Sequence, residues 1–196
     1  MNICLGFLKN FLLIRCKNLS KSHYKFLFTK FRLHLIIIVL EVLNNYQRKK
    51  LDETNDEEFY SDPKFVYHLD ANFRQILSNV YKNEITDYST VLDLMSSWDS
   101  YLPLEKKYKK VIGHGLNKQE LQKNKIFDYF WIQNFNLNQE IPLDSRSIDY
   151  CLMVAAWQYL QYPENLTKEI ARILNDQGKF IIAFSNRAFW LSLIHI

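Results

Sequence analysis

Glycine and proline are scarce in this 196-residue chain, with four of each. So few chain-breakers exclude a disordered chain and a turn-rich all-β fold. Cysteine is scarce too: Cys4, Cys16 and Cys151 are odd in number, far apart and match no metal pattern. A disulfide framework is therefore excluded and a reducing compartment is expected. Cys151, inside an apolar stretch, is expected to act as a small hydrophobe. His68 and His114 have no acid or cysteine at ligand spacing, so no metal is assigned. Long apolar runs are missing as well. The run at residues 33–40 is closed by Arg32 and Glu41 and falls far short of the ~20 residues of a transmembrane span.

Acids are nearly absent from the first fifty residues. Residues 1–50 hold ten Lys or Arg and one acid, Glu41; residues 51–196 hold fifteen Lys or Arg and twenty acids. The net charge of +4 thus averages a basic leading segment and a mildly acidic remainder. A nucleic-acid-binding face is not expected in the folded part. What the chain has in quantity is apolar side chains, 48% hydrophobic and 15% aromatic, enough for one domain with a sizeable core.

Composition divides the chain. Residues 1–50 form a basic apolar segment that reads as an organellar transit segment, as misjoined upstream sequence, or as an amphipathic helix on a membrane. A plastid or other organelle, or else the cytoplasm, is therefore open as the location. Residues 51–62 are acidic (Asp52, Glu53, Asp56, Glu57, Glu58) and read as a linker. Residues 63–190 are the expected folded domain, and residues 191–196 read as a non-native tail, so His195 is not a catalytic candidate.

Over residues 67–85 apolar side chains recur at helical spacing (Leu69, Phe73, Ile76, Leu77, Val80, Tyr81), with Asp70 or the turn before it as cap. Strands and helices then alternate. Strands are predicted over 90–95, 110–115, 128–135, 148–156 and 179–184, and helices over 102–108, 117–124 and 165–174. Asp176-Gln177-Gly178 reads as the turn before the last strand. Residues 148–156 are almost wholly apolar, as a parallel strand covered on both faces must be. The pattern predicts an α/β fold, a Rossmann-like parallel sheet with helices on both faces, incomplete at the C-terminus.

The chemistry concentrates at Val91-Leu92-Asp93-Leu94-Met95-Ser96-Ser97-Trp98-Asp99. An apolar strand ends in an acid and opens into small polar residues. In cofactor-binding α/β domains the ligand sits beyond such a strand end, against the turn and the amides of the helix that follows. Those turns usually carry two or three glycines; this one has none.

The order of that stretch, then Val111-Ile112-Gly113, Trp131-Ile132-Gln133-Asn134, Ser147-Ile148-Asp149-Tyr150 and Leu174-Asn175-Asp176-Gln177-Gly178, resembles class I S-adenosylmethionine-dependent methyltransferases of the type 11 kind. The resemblance spans residues 57–190. It is nearest to a branch found in phototrophs, which shares the opening Glu58-Phe59-Tyr60-Ser61-Asp62-Pro63-Lys64, the Leu-Asp-Leu-Met-Ser-Ser-Trp turn and the ending Phe184-Ser185-Asn186-Arg187. It implies S-adenosyl-L-methionine as cofactor. It also implies a set of contacts.

Asp93 would fix the turn or meet the cofactor's ammonium through water, Ser96 and Ser97 would allow close approach and offer hydroxyls, and Trp98 would form an apolar wall. Plain turn and core roles are the alternatives. Gly113 and Gly115 end the second strand. The acid that grips the ribose in the family falls at Gly115, leaving Asn117 as a polar substitute or simply as a helix N-cap. Gln133 and Asn134 would meet the adenine, with Phe135 stacking on it or serving as core. Val154, Ala155 and Ala156 open toward the transferred methyl. Tyr159 or Gln158 would orient a substrate or be structural, and Arg187 would pair with an anionic substrate or form a surface salt bridge. No catalytic base stands out.

The expected function is methyl transfer to a small-molecule acceptor by in-line displacement. The rival is a non-catalytic methyltransferase-like binding or scaffold domain. A nicotinamide-dependent oxidoreductase fits poorly without the glycine fingerprint. The acceptor and the oligomeric state are not legible.

Overall fold

A computed structural model of the chain describes residues 11–15, 25–28, 42–184 and Ile194. Five parallel strands build the body of the sheet: β3 (Thr90–Leu94), β4 (Lys110–Gly115), β5 (Tyr129–Ile132), β6 (Ile148–Val154) and β7 (Leu174–Phe184). Their order in space is β5-β4-β3-β6-β7. From β3 the chain steps outward one way to β4 and β5, then returns to β6 and β7 on the other side. The order therefore reverses between β3 and β6, the place where open α/β sheets leave a crevice at their carboxyl ends.

The alternation of side chains along the strands explains the layers. Leu92, Leu94, Cys151, Met153, Phe180 and Ile182 point to one face, where Leu166, Ile170 and Ile173 of helix α5 (Pro163–Ile173) cover them. Val91, Tyr150, Leu152, Ile181 and Ala183 point to the other, under Phe73, Leu77 and Tyr81 of helix α3 (Ala71–Glu84). The expected α/β sheet with helices on both faces is what forms. Cys151 is fully buried, and burial pushes its thiol pKa well up, in keeping with a hydrophobic role.

Several expectations are corrected. No helix forms over 102–108: Tyr101 takes a left-handed conformation (φ 57°), Tyr108 Oη donates to the Pro103 carbonyl, and Leu104 stays 83% exposed instead of joining an apolar stripe. Hence no helix opens after the Ser96-Ser97-Trp98 turn, and no helix amides face the ligand side there. Of the two caps expected for the leading helix, Asp70 is the one used: it accepts from Phe73 N at 2.9 Å, so the helix starts at Ala71. Strand β5 stops at Ile132, since Asn134 turns the chain by accepting from Asn136 N. Asp176-Gln177-Gly178 is not a turn between helix and strand. It lies inside β7, opposite a register shift between Ile148 and Tyr150 of β6.

The leading segment also differs from its reading. Residues 11–15 and 25–28 are strands, β1 (Phe11–Arg15) and β2 (Lys25–Phe28), with β1 parallel to β7 and antiparallel to β2. Residues 45–59, which run into the stretch 51–62 expected as a linker, are fastened to the domain. Helix α1 (Asn45–Arg48) brings Arg48 to Glu164 and to the Gln161 carbonyl, and helix α2 (Asp56–Phe59) buries Asp56 beside Lys50 and Asn136. Ile194 of the expected tail is 4% exposed and bridges to Lys50. No helix among the described residues is long and apolar enough to cross a membrane.

Candidate functional site

A cavity of about 300 Å³ opens at the carboxyl ends of β3, β4, β5 and β6. That lies at the lower end of small-molecule sites. Its floor is built from residues at the end of each strand and just beyond it: Asp93 with Met95 to Ser97, His114 to Asn117, Gln133 to Asn136 and Val154 to Ala156. Two of these, Met95 (φ 53°) and Ala155 (φ 50°), sit in the left-handed region without being glycine. Each carries roughly 1–2 kcal/mol of backbone strain, held by the sheet around it. The Met95 and Ser96 amides donate to His114, at Nδ1 (3.1 Å) and at the carbonyl (2.7 Å), and the Ala155 amide donates to the Ala183 carbonyl.

His114 is the brace of this floor. Its Nε2 donates to the Gln133 carbonyl (2.9 Å) while its ring lies 4.0 Å from the Phe135 ring and 4.8 Å from that of Trp131. Burial drives its pKa down to about 3, against the opposing pull of the Gln133 carbonyl, so the ring is neutral. One imidazole thus ties together the ends of three strands, a role its place in the sequence did not suggest.

Asp93 is buried and lines the cavity. Burial raises its pKa to about 7, although the hydroxyls of Ser96 (2.8 Å) and Ser100 donate to it; nearby Asp99 adds to the rise. Ser97 Oγ donates to Glu120 Oε2 in the same fashion. The two serines therefore spend their protons on acids and present only acceptors to a ligand. Glu120 is the carboxylate that sequence reasoning missed. It is buried in the first turn of helix α4 (Lys118–Lys123), lines the cavity, and takes the Lys64 amide on its other oxygen.

The remaining predicted residues separate cleanly. Gly115 belongs to the cavity: a Cβ there would lie 2.5 Å from the Ser96 carbonyl oxygen, so the turn itself excludes an acid. Gly113 does not line it. A Cβ at Gly113 would strike the Phe127 ring at 2.4 Å, which marks a packing glycine. Trp98 is outside as well, its Nε1 donating to the Val66 carbonyl and its ring against Tyr67 at 4.6 Å.

Asn117 lines the cavity but is the N-cap of α4, accepting from Glu120 N, and its Nδ2 donates to the carbonyls of Tyr60 and Ser61. Gln133 is spent on the Trp131 indole and the carbonyls of Asn138 and Glu140. Neither amide has a donor left for a ribose or an adenine. Asn134, Phe135, Val154 and Tyr159 line the cavity. Arg187 lies outside the described residues.

The structure also brings in a segment that the opening motif foreshadowed without a role. Asp56, Tyr60, Lys64 and His68 close one side of the cavity. Asn117, Glu120, Asn136 and Trp98 hold this strap in place through its backbone or through Asp56. His68 is half-buried, and burial lowers its pKa. Acids predominate in the lining, with Asp56, Asp93, Asp99 and Glu120 against Lys64.

Residues 100–182 match the family model described as a methyltransferase domain. A comparison with curated proteins finds no match. Solved structures similar to this domain include the YcgJ protein from Bacillus subtilis, at 17% identity over 55% of this chain and 49% of that one (TM-score 0.47). They include a SAM-dependent methyltransferase from Aquifex aeolicus, at 18% identity over 55% and 68% (TM-score 0.41). A protein of Pyrococcus horikoshii is 16% identical over 64% of each chain (TM-score 0.47). The chain spans about half the length of the first of these relatives.

Proposed function

We propose that the protein is a methyltransferase that uses S-adenosyl-L-methionine, with the methyl passing in line to a small-molecule acceptor. The observation that carries this reading is the acid-lined cavity at the switch point between β3 and β6, with Asp93 buried in its floor. The cofactor is a cationic sulfonium with an ammonium group, and a buried carboxyl with no cationic partner among the described residues fits such a ligand. Asp93 and Ser96 would hold the ammonium, Glu120 would accept from the ribose hydroxyls in place of the acid that Gly115 cannot supply, and Phe135 with Asn134 would hold the adenine. When bound, the cofactor supplies an electrophilic methyl group. The chain's part is alignment and exclusion of water, the larger share of an in-line displacement. His68, kept unprotonated at neutral pH by burial, is the cavity side chain suited to receive a proton from an acceptor.

The rival reading, a binding module without turnover, is favoured by the missing helix after the Ser96-Ser97-Trp98 turn. Calorimetric titration of S-adenosylhomocysteine into the full chain tests the proposal. Micromolar binding supports it. Absence of binding by a folded protein overturns it in favour of the rival.

A further inference from the structure

Three consecutive large apolar side chains stand on the surface at the rim of the cavity. Phe65, Val66 and Tyr67 are 42%, 57% and 49% exposed, on irregular backbone between Lys64 and His68, which both line the cavity. Trp98, between the lining residues Ser97 and Asp99, fastens this arch: its Nε1 donates to the Val66 carbonyl and its ring packs on Tyr67. Apolar residues scattered singly over a surface are ordinary. Three in a row, held in place beside a cavity, mark a surface that is covered when the protein works.

Cations surround the arch. Lys123 Nζ lies 4.6 Å from the centre of the Phe65 ring, and the Arg74 guanidinium carbon lies 3.6 Å from that of Tyr67. Lys123 belongs to α4, whose Glu120 accepts from the Lys64 amide, so the helix and the arch form one continuous surface. Along residues 118–125 every exposed residue is lysine or glutamine: Lys118, Gln119, Gln122, Lys123 and Lys125. Glu120, the acid of that helix, is turned inward. Among the described residues none of the three lysines is in an ion pair. Asp62 is the one acid of residues 60–69, and Lys64 offsets it. In a domain that is mildly acidic as a whole, this basic apolar patch is a local departure.

We propose that this patch docks on the surface of an anionic lipid bilayer, with Phe65, Val66 and Tyr67 in the headgroup layer and Lys118, Lys123 and Lys125 against the anionic headgroups. Amphipathic rings belong at that depth, long lysine stems reach across it, and each cation near a charged leaflet adds to a reversible attraction. Three half-exposed side chains offer too little apolar area for a stable protein interface, which takes ~800 Å² per partner. Docked in this way, the cavity mouth faces the lipid. The inference goes beyond the methyl-donor reading and does not require it.

The test is sedimentation of the full chain with vesicles of phosphatidylcholine alone and of phosphatidylcholine with about one third phosphatidylserine. The wild type is compared with Phe65→Ser/Val66→Ser/Tyr67→Ser, with Lys118→Gln/Lys123→Gln/Lys125→Gln, and with Tyr88→Ser/Leu104→Ser, a control that removes apolar groups exposed elsewhere. The wild type should bind the phosphatidylserine vesicles. The lysine variant should bind them more weakly by about 5-fold for each lysine lost, the arch variant by at least ~10-fold, and the control as the wild type does. Tryptophan fluorescence should be quenched by brominated phosphatidylcholine in the wild type and much less in Trp98→Phe. All variants keep residues 1–50, so membrane contact through that basic segment would show as equal binding by every protein, and would overturn the proposal. A folded wild type that ignores phosphatidylserine vesicles overturns it as well. Loss of self-association in the arch variant, with vesicle binding unchanged, assigns the patch to a second copy of the chain and also overturns it. Thermal melts of each variant separate lost binding from lost folding.

Discussion

Replacing Asp93 by asparagine should make the protein more stable, and the gain should depend on pH. In the unfolded chain the carboxyl ionises near its ordinary value of 3.8, whereas in the fold burial holds it protonated up to about 7. Because the folded pKa is raised, the favourable contribution is fully present below pH 3.8. It is lost as pH rises through the folded value, since the unfolded chain gives up its proton first. The loss runs at about 1.4 kcal/mol per pH unit. Between pH 5 and pH 8 the wild type should therefore fall by about 2–3 kcal/mol relative to Asp93→Asn, with the slope flattening above pH 7. Asparagine keeps the neutral shape and can bond the Ser96 and Ser100 hydroxyls. Urea unfolding of both proteins at pH 5, 6, 7 and 8 reads the difference directly, and groups common to both cancel. Parallel stability curves would refute the reasoning. The same variant should bind S-adenosylhomocysteine less tightly, because the ionised carboxyl is the form that meets an ammonium; stability would then have been given up for the site.

Asn117→Ala should cost about 1–2 kcal/mol and free the strap at Tyr60 and Ser61, measured as faster proteolysis and hydrogen exchange within residues 56–68. His114→Phe keeps the ring contacts but strands the Met95 amide, so a loss of about 1–3 kcal/mol is expected in chemical denaturation. Gly113→Ala must displace the Phe127 ring and should lower the melting temperature while sparing ligand affinity, as a packing glycine outside the cavity requires.

The sheet was legible because its strands are short apolar runs of fixed period, and the strand ends named the floor of the cavity. Asp93 and Val154 line the cavity from such strand ends, and Asn134 and Phe135, singled out by the family resemblance, line it too. What escaped was non-local. Asn117 meets Tyr60 across 57 positions, and Glu120 meets Lys64 across 56, so no periodicity reports that the strap closes the site. Gly113 and Gly115 read alike two residues apart. Which of them faces Phe127 and which faces the turn is settled only by neighbours from other segments. The stretch 102–108 has helical composition, but the left-handed Tyr101 and the tie from Tyr108 to Pro103 carry it another way. Propensity yields there to tertiary contacts.

The meeting of Gly115 with the Ser96 carbonyl sets the order in which this site could ever change. A carboxylate cannot be added at 115 while the turn stands where it does, and the turn cannot move while His114 holds the Met95 and Ser96 amides. Either change alone passes through a damaged fold. The two alterations are thus locked to each other, and a single substitution cannot lead back to the glycine-loop arrangement. Variation under selection for folding is channelled instead to Glu120 and the strap, where the cavity can be altered one residue at a time.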